Sequence, residues 1–293
     1  MLGACGGDGS HPASTGNAAN GDFDPPPIQT RFPEAVTRAC NAQSPTLDRI
    51  KDEGTLFWAI GATPRFGFKL RDGRWAGVEA QNAAELATLL GVDYDITEYT
   101  YDVLARTLIT GQADIIGAQL FVTRERAKLI DFSTPYYRAG QLFYVPRDSP
   151  YQTIADLNRP SVRFVAGFGT AQLGLAKKYL PRARINGERL TGQLILYEPI
   201  AAGRAEATMT DASAMQIIRD EFKHPPLVAV GLNGRVTGRR VSADEMLDPF
   251  DVAFGLSKGD PAWKACVDAW VRDLLDSGRM EKRLDYWLAQ RVT

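Results

Sequence analysis

Arg126 is the residue of this sequence whose type and position most clearly suit the binding of an anion. It follows Thr123 at the start of a short predicted helix, which leaves a strand predicted at 115–120. A guanidinium at such a place can hold a carboxylate through two charge-assisted hydrogen bonds of nearly fixed geometry. The alternative is a solvated arginine on an exposed helix, which the charged composition of residues 123–128 by itself favours.

A second place for an anion is the turn formed by Gly169 and Thr170, which opens the helix predicted at 170–179. The free backbone N–H groups and the positive end of the helix dipole suit an anion, and the hydroxyl of Thr170 adds a donor. The alternative is that this hydroxyl serves as a simple helix cap.

The elements that must position these residues alternate between strand and helix from about residue 46 onwards. This alternation predicts α/β lobes with mainly parallel sheets, in which ligands lie beyond the carboxyl ends of the strands. The predicted strands are 56–60, 94–99, 115–120, 162–166, 207–209 and 252–257. The predicted helices are 46–53, 79–90, 101–110, 123–129, 170–179, 214–221, 262–277 and 279–290.

The composition excludes several classes of protein. The chain has 293 residues, which suits two lobes, and 34 Lys and Arg balance 35 Asp and Glu to a net charge of −1. Such a balance argues against nucleic-acid binding and against binding to an anionic membrane surface. No apolar run approaches the roughly 18 residues of a transmembrane helix. Two histidines and three cysteines argue against a metal site, and no cofactor is expected.

The first forty residues differ from the rest of the chain. Residues 1–30 are rich in Gly, Ala, Asn, Asp and Pro without apolar periodicity, so residues 1–40 are interpreted as a flexible tail or tether. Residues 1–5 resemble the end of a bacterial lipoprotein signal, which would make Cys5 a lipidation site. The charged and apolar regions of a signal peptide are absent, so either the chain was truncated just before Cys5 or the match is chance.

The two remaining cysteines are Cys40 and Cys266. A disulfide between them would fit an oxidising compartment, because Cys40 precedes the first predicted element and Cys266 lies in a late helix expected to pack on the same lobe. Two free, buried cysteines are the alternative.

Several segments together resemble the signature of family 3 solute-binding proteins, the amino-acid receptors of ABC importers. They occur in the order of the family, near its spacing, over about residues 47–290. The segments are GQADII at 111–116, VTRERAK at 122–128, IDFSTPYY at 130–137, GT at 169–170, GRAEA at 203–207, TD at 210–211 and GLSKGDP at 255–261.

The resemblance implies a type 2 periplasmic binding protein, in which two α/β lobes joined by two hinge crossings close over a ligand. It places lobe 1 at 41–138 and 249–293 and lobe 2 at 139–248. It also implies a periplasmic or extracytoplasmic monomer that binds an amino acid or organic acid, works with an ABC permease and has no catalytic residues. Any membrane contact would come from a lipid anchor alone.

The resemblance also assigns roles to individual residues. Arg126 would hold the carboxylate of the ligand, supported by the turn at Gly169 and Thr170. Asp211 would pair with the α-ammonium group, although an aspartate after a strand could equally cap the following helix. Tyr101 would lie over the ligand side chain or pack within the fold.

The chain departs from the family pattern at the rim of the expected pocket. Phe121 replaces a hydroxyl residue, and Gln119 replaces a small residue with an amide that can both donate and accept. In the first loop, Thr63 lies near the place of an aromatic residue and Arg65 replaces a common proline. These differences put ordinary α-amino-acid binding in question, and Phe121 could instead pack into lobe 1.

Two other functions share the fold. Cyclohexadienyl dehydratases resemble the receptors but add a catalytic carboxylate three residues after the equivalent of Asp211. Here that position is Ala214, which cannot transfer a proton, and the nearest acids by motif are Glu79 and Glu206. A sensory module is the third hypothesis.

Overall fold

The computed structural model describes residues 23–63, 65–189, 196–213, 226–236, 242 and 244–290. The strands are β1 (Thr55–Ile60), β2 (Phe68–Lys69), β3 (Trp75–Ala76), β4 (Asp93–Glu98), β5 (Ile115–Ile116), β6 (Asp131–Phe132), β7 (Tyr137–Pro146), β8 (Arg163–Gly167), β9 (Arg184–Glu188), β10 (Ala207–Asp211), β11 (Leu227–Gly231), β12 (Gly234–Val236), β13 (Leu247–Val252) and β14 (Gly255–Leu256). The helices are α1 (Glu34–Cys40), α2 (Pro45–Glu53), α3 (Val78–Leu90), α4 (Leu104–Ile109), α5 (Arg124–Ala127), α6 (Ile154–Leu157), α7 (Ala171–Tyr179), α8 (Tyr197–Ala201), α9 (Pro261–Asp276) and α10 (Arg279–Ala289).

The first lobe is built around a sheet with the strand order β4-β1-β5-β14-β6. The strand β1 runs parallel to β4 and β5, whereas β14 runs antiparallel to β5 and β6. The apolar side chains of β1 are buried in a core that also receives Trp263, Trp270 and Leu274 from one face of α9. This face is the stripe expected of an amphipathic helix on a sheet.

The second lobe contains a sheet with the order β12-β11-β7-β10-β8-β9, and β13 also pairs with β7. The strand β10 is parallel to β8 and antiparallel to β7, so both sheets are mixed. The two-lobed α/β architecture expected from the sequence is confirmed. The expectation of mainly parallel sheets is wrong, because antiparallel pairs outnumber parallel ones among the described strands and β7 pairs with β10, β11 and β13 only in the antiparallel sense. The boundaries proposed for the lobes, at 138/139 and 248/249, remain a proposal.

The two lobes are joined by neighbouring chain crossings. The strand β7 follows β6 directly, and β13 leads back to β14, with Val252 paired to Tyr137. The segment around Phe121 is bonded to this hinge: the N–H of Val122 donates to Asp251 O at 2.9 Å, and the N–H of Ala253 donates to Leu120 O at 3.1 Å. The loop that leads to Arg126 is therefore fixed to the hinge.

The tail predicted at 1–40 extends too far into the fold, because residues 23–40 pack on the first lobe. The ring of Phe23 lies 5.1 Å from the ring of Trp287 and 5.8 Å from that of Phe68. Residues 34–40 form α1, which lies against α9. The apolar periodicity of this segment was too short to be recognised, and Cys5 lies outside the described residues.

Cys40 at the end of α1 and Cys266 in α9 form a disulfide, with their Cα atoms 4.5 Å apart. The bridge joins residues 226 positions apart in sequence and connects the N-terminal segment to the C-terminal helices of the first lobe. Both cysteines are buried. The compartment that such a bridge needs is an oxidising one.

A buried cluster of charged residues holds α3 against the C-terminal helices. Glu85 accepts hydrogen bonds from Arg283 at 2.7 Å, from Arg279 at 3.2 Å and from the indole of Trp270 at 3.1 Å. Burial opposes the ionisation of Glu85, but Arg283 and Arg279 outweigh it, so the pKa of Glu85 is lowered. The carboxylate is thus ionised and fully paired.

Candidate ligand-binding cleft

Arg126 projects from the first turn of α5 into the space between the lobes. The hydroxyl of Thr123 accepts a hydrogen bond from the Arg126 N–H at 3.2 Å and caps the helix. The guanidinium donates from Nη1 to Phe121 O and from Nη2 to Gly169 O, each at 2.8 Å. Since Gly169 belongs to the second lobe, this side chain spans the cleft. Burial lowers the pKa of Arg126 to about 10, which leaves the group charged at neutral pH.

The turn at Gly169 lies directly against the first lobe. Gly169 has a φ of +73°, and a Cβ at this position would lie 2.5 Å from Asp102 Cα. Glycine is therefore required both by its backbone conformation and by the close approach of the lobes. Thr170 occupies the N-cap position of α7, but its hydroxyl donates to Gly167 O at 2.8 Å and makes no cap hydrogen bond.

Asp211 ends β10 at the cleft and is only 1% exposed. Its Oδ1 accepts hydrogen bonds from the N–H of Ser213 at 2.9 Å and from the hydroxyl of the same residue. Burial raises the pKa of Asp211, against the opposing effect of the bonds from Ser213. The helix that Asp211 was expected to cap, at 214–221, lies outside the described residues, as does Ala214.

Gln119 turns into the cleft from the end of the short segment after β5. Its φ is +47°, and its N–H donates to Glu79 Oε1 at 3.1 Å, which holds this unusual backbone conformation. The side chain is 3% exposed, and its amide lies near enough to the carboxyl of Asp211 to lower the pKa of that group. Neither amide atom makes a hydrogen bond of normal geometry with a described residue.

Glu79 lies beneath Gln119 and does not open to the cleft. Its carboxyl accepts hydrogen bonds from the hydroxyl of Tyr136 and from Asn82 at 3.1 Å, in addition to the one from Gln119. Burial raises the pKa of Glu79, although these hydrogen bonds act against the shift. The residue therefore positions the Gln119 turn. Glu206, the other acid considered from the sequence, lies just before β10, at the opposite end from Asp211, where it pairs with Arg163.

Tyr101 lies across the floor of the cleft with its ring against Gly61, where a Cβ would approach the ring to 2.8 Å. Its hydroxyl is 2.7 Å from the hydroxyl of Thr63 and donates to Ala118 O at 3.1 Å. Burial raises the pKa of Tyr101 to about 12, while Thr63 and the positive charge of Arg126 oppose the shift and Asp211 adds to it. The charges of Arg126 and Asp211 therefore both affect the pKa of the Tyr101 phenol.

Phe121 contributes to this region through its backbone more than through its ring. The ring is 4% exposed and stacks on Phe250 of the hinge strand β13, with 5.5 Å between centroids. Phe121 thus packs in the core of the first lobe beside the hinge strand, which is the alternative that the sequence left open, and its carbonyl oxygen accepts a hydrogen bond from Arg126. Arg65, which stands in the first loop in place of a common proline, is buried and donates to Leu288 O in α10 at 2.9 Å.

Four residues at the cleft are not assigned to the site by any pattern in the sequence. Gln141 and Tyr137 lie on β7, a strand that was not predicted, and Ser213 follows β10. Gln172 in the first turn of α7 donates to the side-chain oxygen of Gln141 at 3.0 Å. Burial, and then the charge of Asp211, raises the pKa of Tyr137 to about 12, with Ser213 opposing it. The available signal was the apolar run of residues 142–145, which follows Gln141 directly.

Two further features bear on function. Among the residues described, no group of three His, Cys, Asp or Glu side chains is placed to hold a metal ion. None of the described helices combines the length and the apolar character that crossing a membrane requires.

The chain matches the model of the bacterial extracellular solute-binding proteins, family 3, over residues 57–290. It belongs to this family. The match includes both lobes, the hinge and every cleft residue described above. Members of the family are extracellular solute-binding proteins, which agrees with a cleft between two lobes.

Individual relatives include both an enzyme and binding proteins. The chain is 28% identical over 263 residues to a cyclohexadienyl dehydratase of Pseudomonas aeruginosa, covering 87% of this chain and 91% of that relative. It is 25% identical over 256 residues to the L-cystine-binding protein TcyJ of Escherichia coli, covering 84% and 87%. Among solved structures, the ancestral amino acid-binding protein AncCDT-1, a precursor of cyclohexadienyl dehydratase, is 29% identical with a TM-score of 0.71, covering 83% of this chain and 99% of that one. A variant of ArgBP from T. maritima is 25% identical with the same TM-score, covering 84% and 100%.

Proposed function

We propose that this protein is the substrate receptor of an ABC importer, which closes its lobes on a small zwitterionic or carboxylate ligand such as an amino acid. The observation that carries the proposal is that Arg126 of the first lobe reaches Gly169 O of the second lobe, while Asp211 is buried at the end of β10 in the second lobe. A zwitterion that contacts both charges stabilises the arrangement in which the lobes meet, because a ligand shifts such an equilibrium only through differential contacts.

The cleft offers a partner for each end of such a ligand. A guanidinium has five N–H donors, and the two carbonyl contacts of Arg126 occupy two of them, so donors remain for a carboxylate. The hydroxyl and the N–H of Thr170 already donate to Gly167 O, so further donors beside Arg126 would come from the backbone N–H groups at the start of α7. Asp211, buried without a cationic side chain among its described hydrogen-bond partners, suits an ammonium group. Tyr101 and Thr63 form the floor.

The biological setting is part of the same proposal. The receptor acts outside the cytoplasm, as a monomer that delivers its ligand to an ABC permease, and it needs no cofactor and catalyses no reaction. Support comes from the family, whose members are extracellular solute-binding proteins, and from the bridge between Cys40 and Cys266. We retain Cys5 as a candidate lipid anchor.

Thermal-shift screening against the proteinogenic amino acids and small organic acids tests the proposal, followed by calorimetric titration of every compound that raises the melting temperature. The expected result is a rise for at least one α-amino acid and saturable binding of one ligand per chain. No rise for any compound, together with no measurable binding of the best candidate at millimolar concentration, would overturn the proposal.

A dehydratase is the second candidate function, and the 28% identity to a cyclohexadienyl dehydratase favours it. Of the two acids that the sequence offers for the role of a catalytic acid, Glu79 is enclosed by Tyr136 and Asn82 and Glu206 is paired with Arg163. The carboxyl of Asp211 remains at the cleft, and the receptor proposal assigns it to the ligand ammonium group. Ala214 occupies the position at which the resemblance expects such an acid. Incubation of the purified protein with prephenate or arogenate decides the matter: turnover above the uncatalysed rate would replace the receptor assignment.

A further inference from the structure

Two buried glutamine side chains flank Asp211, and three of their four polar atoms lack hydrogen-bond partners among the described residues. Gln119 from the first lobe has neither amide atom paired, and it is 3% exposed. Gln141 from β7 is fully buried, and its Oε1 accepts from Gln172 while its Nε2 finds no described partner. Leaving a buried amide unpaired costs free energy, so each such group is expected to meet a partner of its own.

The backbone places both amides at the same point of the cleft. Gln141 is the cross-strand partner of Asp211 in the pairing of β7 with β10, so the two side chains leave the same face of the sheet as direct neighbours. Gln119 approaches from the opposite lobe, and its amide is close enough to Asp211 to influence the carboxyl. The two amides therefore lie beside Asp211, one from each lobe, where they can meet another part of a ligand that this carboxyl holds.

The unpaired donors and acceptors of the two amides indicate which hydrogen-bonding groups the ligand needs. Their nitrogen atoms offer four N–H donors, and the carbonyl of Gln119 offers an acceptor. A ligand oxygen is needed to meet the donors, and a ligand N–H is needed to meet the acceptor. A cationic side chain only donates and a hydrocarbon side chain does neither. A hydroxyl group donates and accepts through one atom, whereas a neutral carboxamide or ureido group has its acceptor and its N–H donor on separate atoms and can meet two amides at once.

We propose that Gln119 and Gln141 form a polar subsite that selects amino acids whose side chain ends in a carboxamide or ureido group. This inference rests on the proposed function, because Arg126 and Asp211 must hold the α-carboxylate and the α-ammonium group for the side chain to reach the two amides. Glu79 acts as a positioning residue for the subsite, since its carboxyl holds the backbone of Gln119 in its left-handed conformation.

Calorimetric titration with three sets of ligands tests the subsite. The first set is L-asparagine, L-glutamine and L-citrulline, the second L-norvaline and L-norleucine, and the third L-lysine and L-arginine. Wild-type protein is expected to bind the tightest member of the first set at least about tenfold more strongly than any member of the other two, because unpaired buried donors penalise those ligands.

Gln119→Leu and Gln141→Leu, on different lobes, are expected to weaken binding of that ligand by about tenfold to a hundredfold. Binding of the hydrocarbon amino acids should not weaken and is expected to strengthen, since leucine removes the buried unpaired donors that penalise these ligands. Gln112→Leu, an exposed glutamine in the turn after α4, is the matched control and should change neither. Thermal unfolding of each variant checks that it is folded, and the two positions provide independent variants.

The outcomes separate this inference from the proposed function. If hydrocarbon or cationic amino acids bind as tightly as the first set, the subsite is wrong and the receptor assignment stands. If both variants weaken L-norvaline as much as L-glutamine, the amides hold the backbone of the ligand and the selection proposed here is also wrong. If no amino acid binds wild-type protein, the proposed function fails and the subsite fails with it.

Discussion

The guanidinium of Arg126 donates a 2.8 Å hydrogen bond to the carbonyl oxygen of Gly169 and thereby joins the two lobes across the cleft. Its other terminal nitrogen donates to Phe121 O, in a segment bonded to the hinge. The group proposed to hold the ligand is therefore also a group that holds the lobes together. If Arg126 holds the ligand as proposed, ligand binding and lobe closure are coupled at this side chain.

Replacement of Arg126 by alanine is expected to weaken binding of the tightest amino-acid ligand by at least about a hundredfold, because it removes a charge-assisted contact to the carboxylate. Arg126→Lys keeps the positive charge but cannot donate two parallel hydrogen bonds to a carboxylate, so its affinity should lie between those of wild type and Arg126→Ala. Arg124→Ala, on the exposed side of the same helix, is the matched control. Titration calorimetry gives the affinities, and equal affinities for the variants at 124 and 126 would contradict the assignment.

Gly169→Ala tests the close approach of the lobes. The added methyl group would collide with the backbone of Asp102 and would stand at a φ that costs about 1–2 kcal/mol for an L-residue. We expect a larger radius of gyration with ligand present, measured by small-angle scattering, and a lower affinity. Gly174→Ala in α7, where no atom lies within 4 Å of the added Cβ, is the control and should leave both unchanged. A Gly169→Ala protein as compact as wild type would show that the contact is dispensable.

The pH dependence of ligand binding follows from Asp211. Burial raises the pKa of this carboxyl, and only the ionised form attracts an ammonium group. Affinity is therefore highest above the raised pKa and falls as the pH drops through it, at a higher pH than for an ordinary aspartate near 3.9. Titrations between about pH 4 and pH 8 should show this loss for wild type, whereas Asp211→Asn should bind weakly with a flat profile. A flat wild-type profile over this range would exclude Asp211 as the ammonium partner.

The residues that carry chemistry could be predicted to different degrees. Arg126, Asp211 and Gly169 follow strand ends inside recognisable motifs, so their place at the cleft was accessible from the sequence. The hydrogen-bond partners of Arg126 could not be predicted, because Phe121 and Gly169 accept through backbone carbonyl oxygens, which every residue type has. Gln141 was missed since β7 is buried along most of its length, and such a run lacks the alternation that identifies a half-exposed strand.

The elements of the fold were predictable where local signals agreed. The helix α2 begins with Ser44 as its cap and ends at Gly54 in the left-handed conformation, within one residue of its predicted bounds. The packing of residues 23–40 on the first lobe was not predictable from the sequence, because it depends on contacts with residues more than forty positions away, such as Trp287 and Cys266. Tertiary contacts of this kind leave no periodic pattern in the segment itself.

The buried ion cluster makes a prediction about stability. Glu85→Gln would leave Arg283, which is 2% exposed, without its ionic partner inside the first lobe. Loss of one member of a buried pair costs about 3–5 kcal/mol of unfolding free energy. Glu34→Gln, at the exposed pair with Arg38, should change the unfolding free energy by less than about 1 kcal/mol. Urea titrations of both variants check this, and equal midpoints would be inconsistent with a structural role for the cluster.

The disulfide makes a second prediction about stability. A chain with serine at both Cys40 and Cys266 should lose about 2–5 kcal/mol of unfolding free energy, because the bridge restricts a long loop of the unfolded chain. Reducing agent should lower the melting temperature of wild type towards that of the double variant and should not affect the variant. Insensitivity of wild type to reduction under unfolding conditions would mean that the two thiols are not bridged.

A crystal structure of the protein with its tightest amino-acid ligand would show whether Arg126 and Asp211 bind the ligand together. We expect density between the lobes, with the carboxylate of the ligand on the guanidinium of Arg126 and its ammonium group on the carboxyl of Asp211. A ligand bound in the cleft without contact to either residue, or bound outside the cleft, would contradict this expectation.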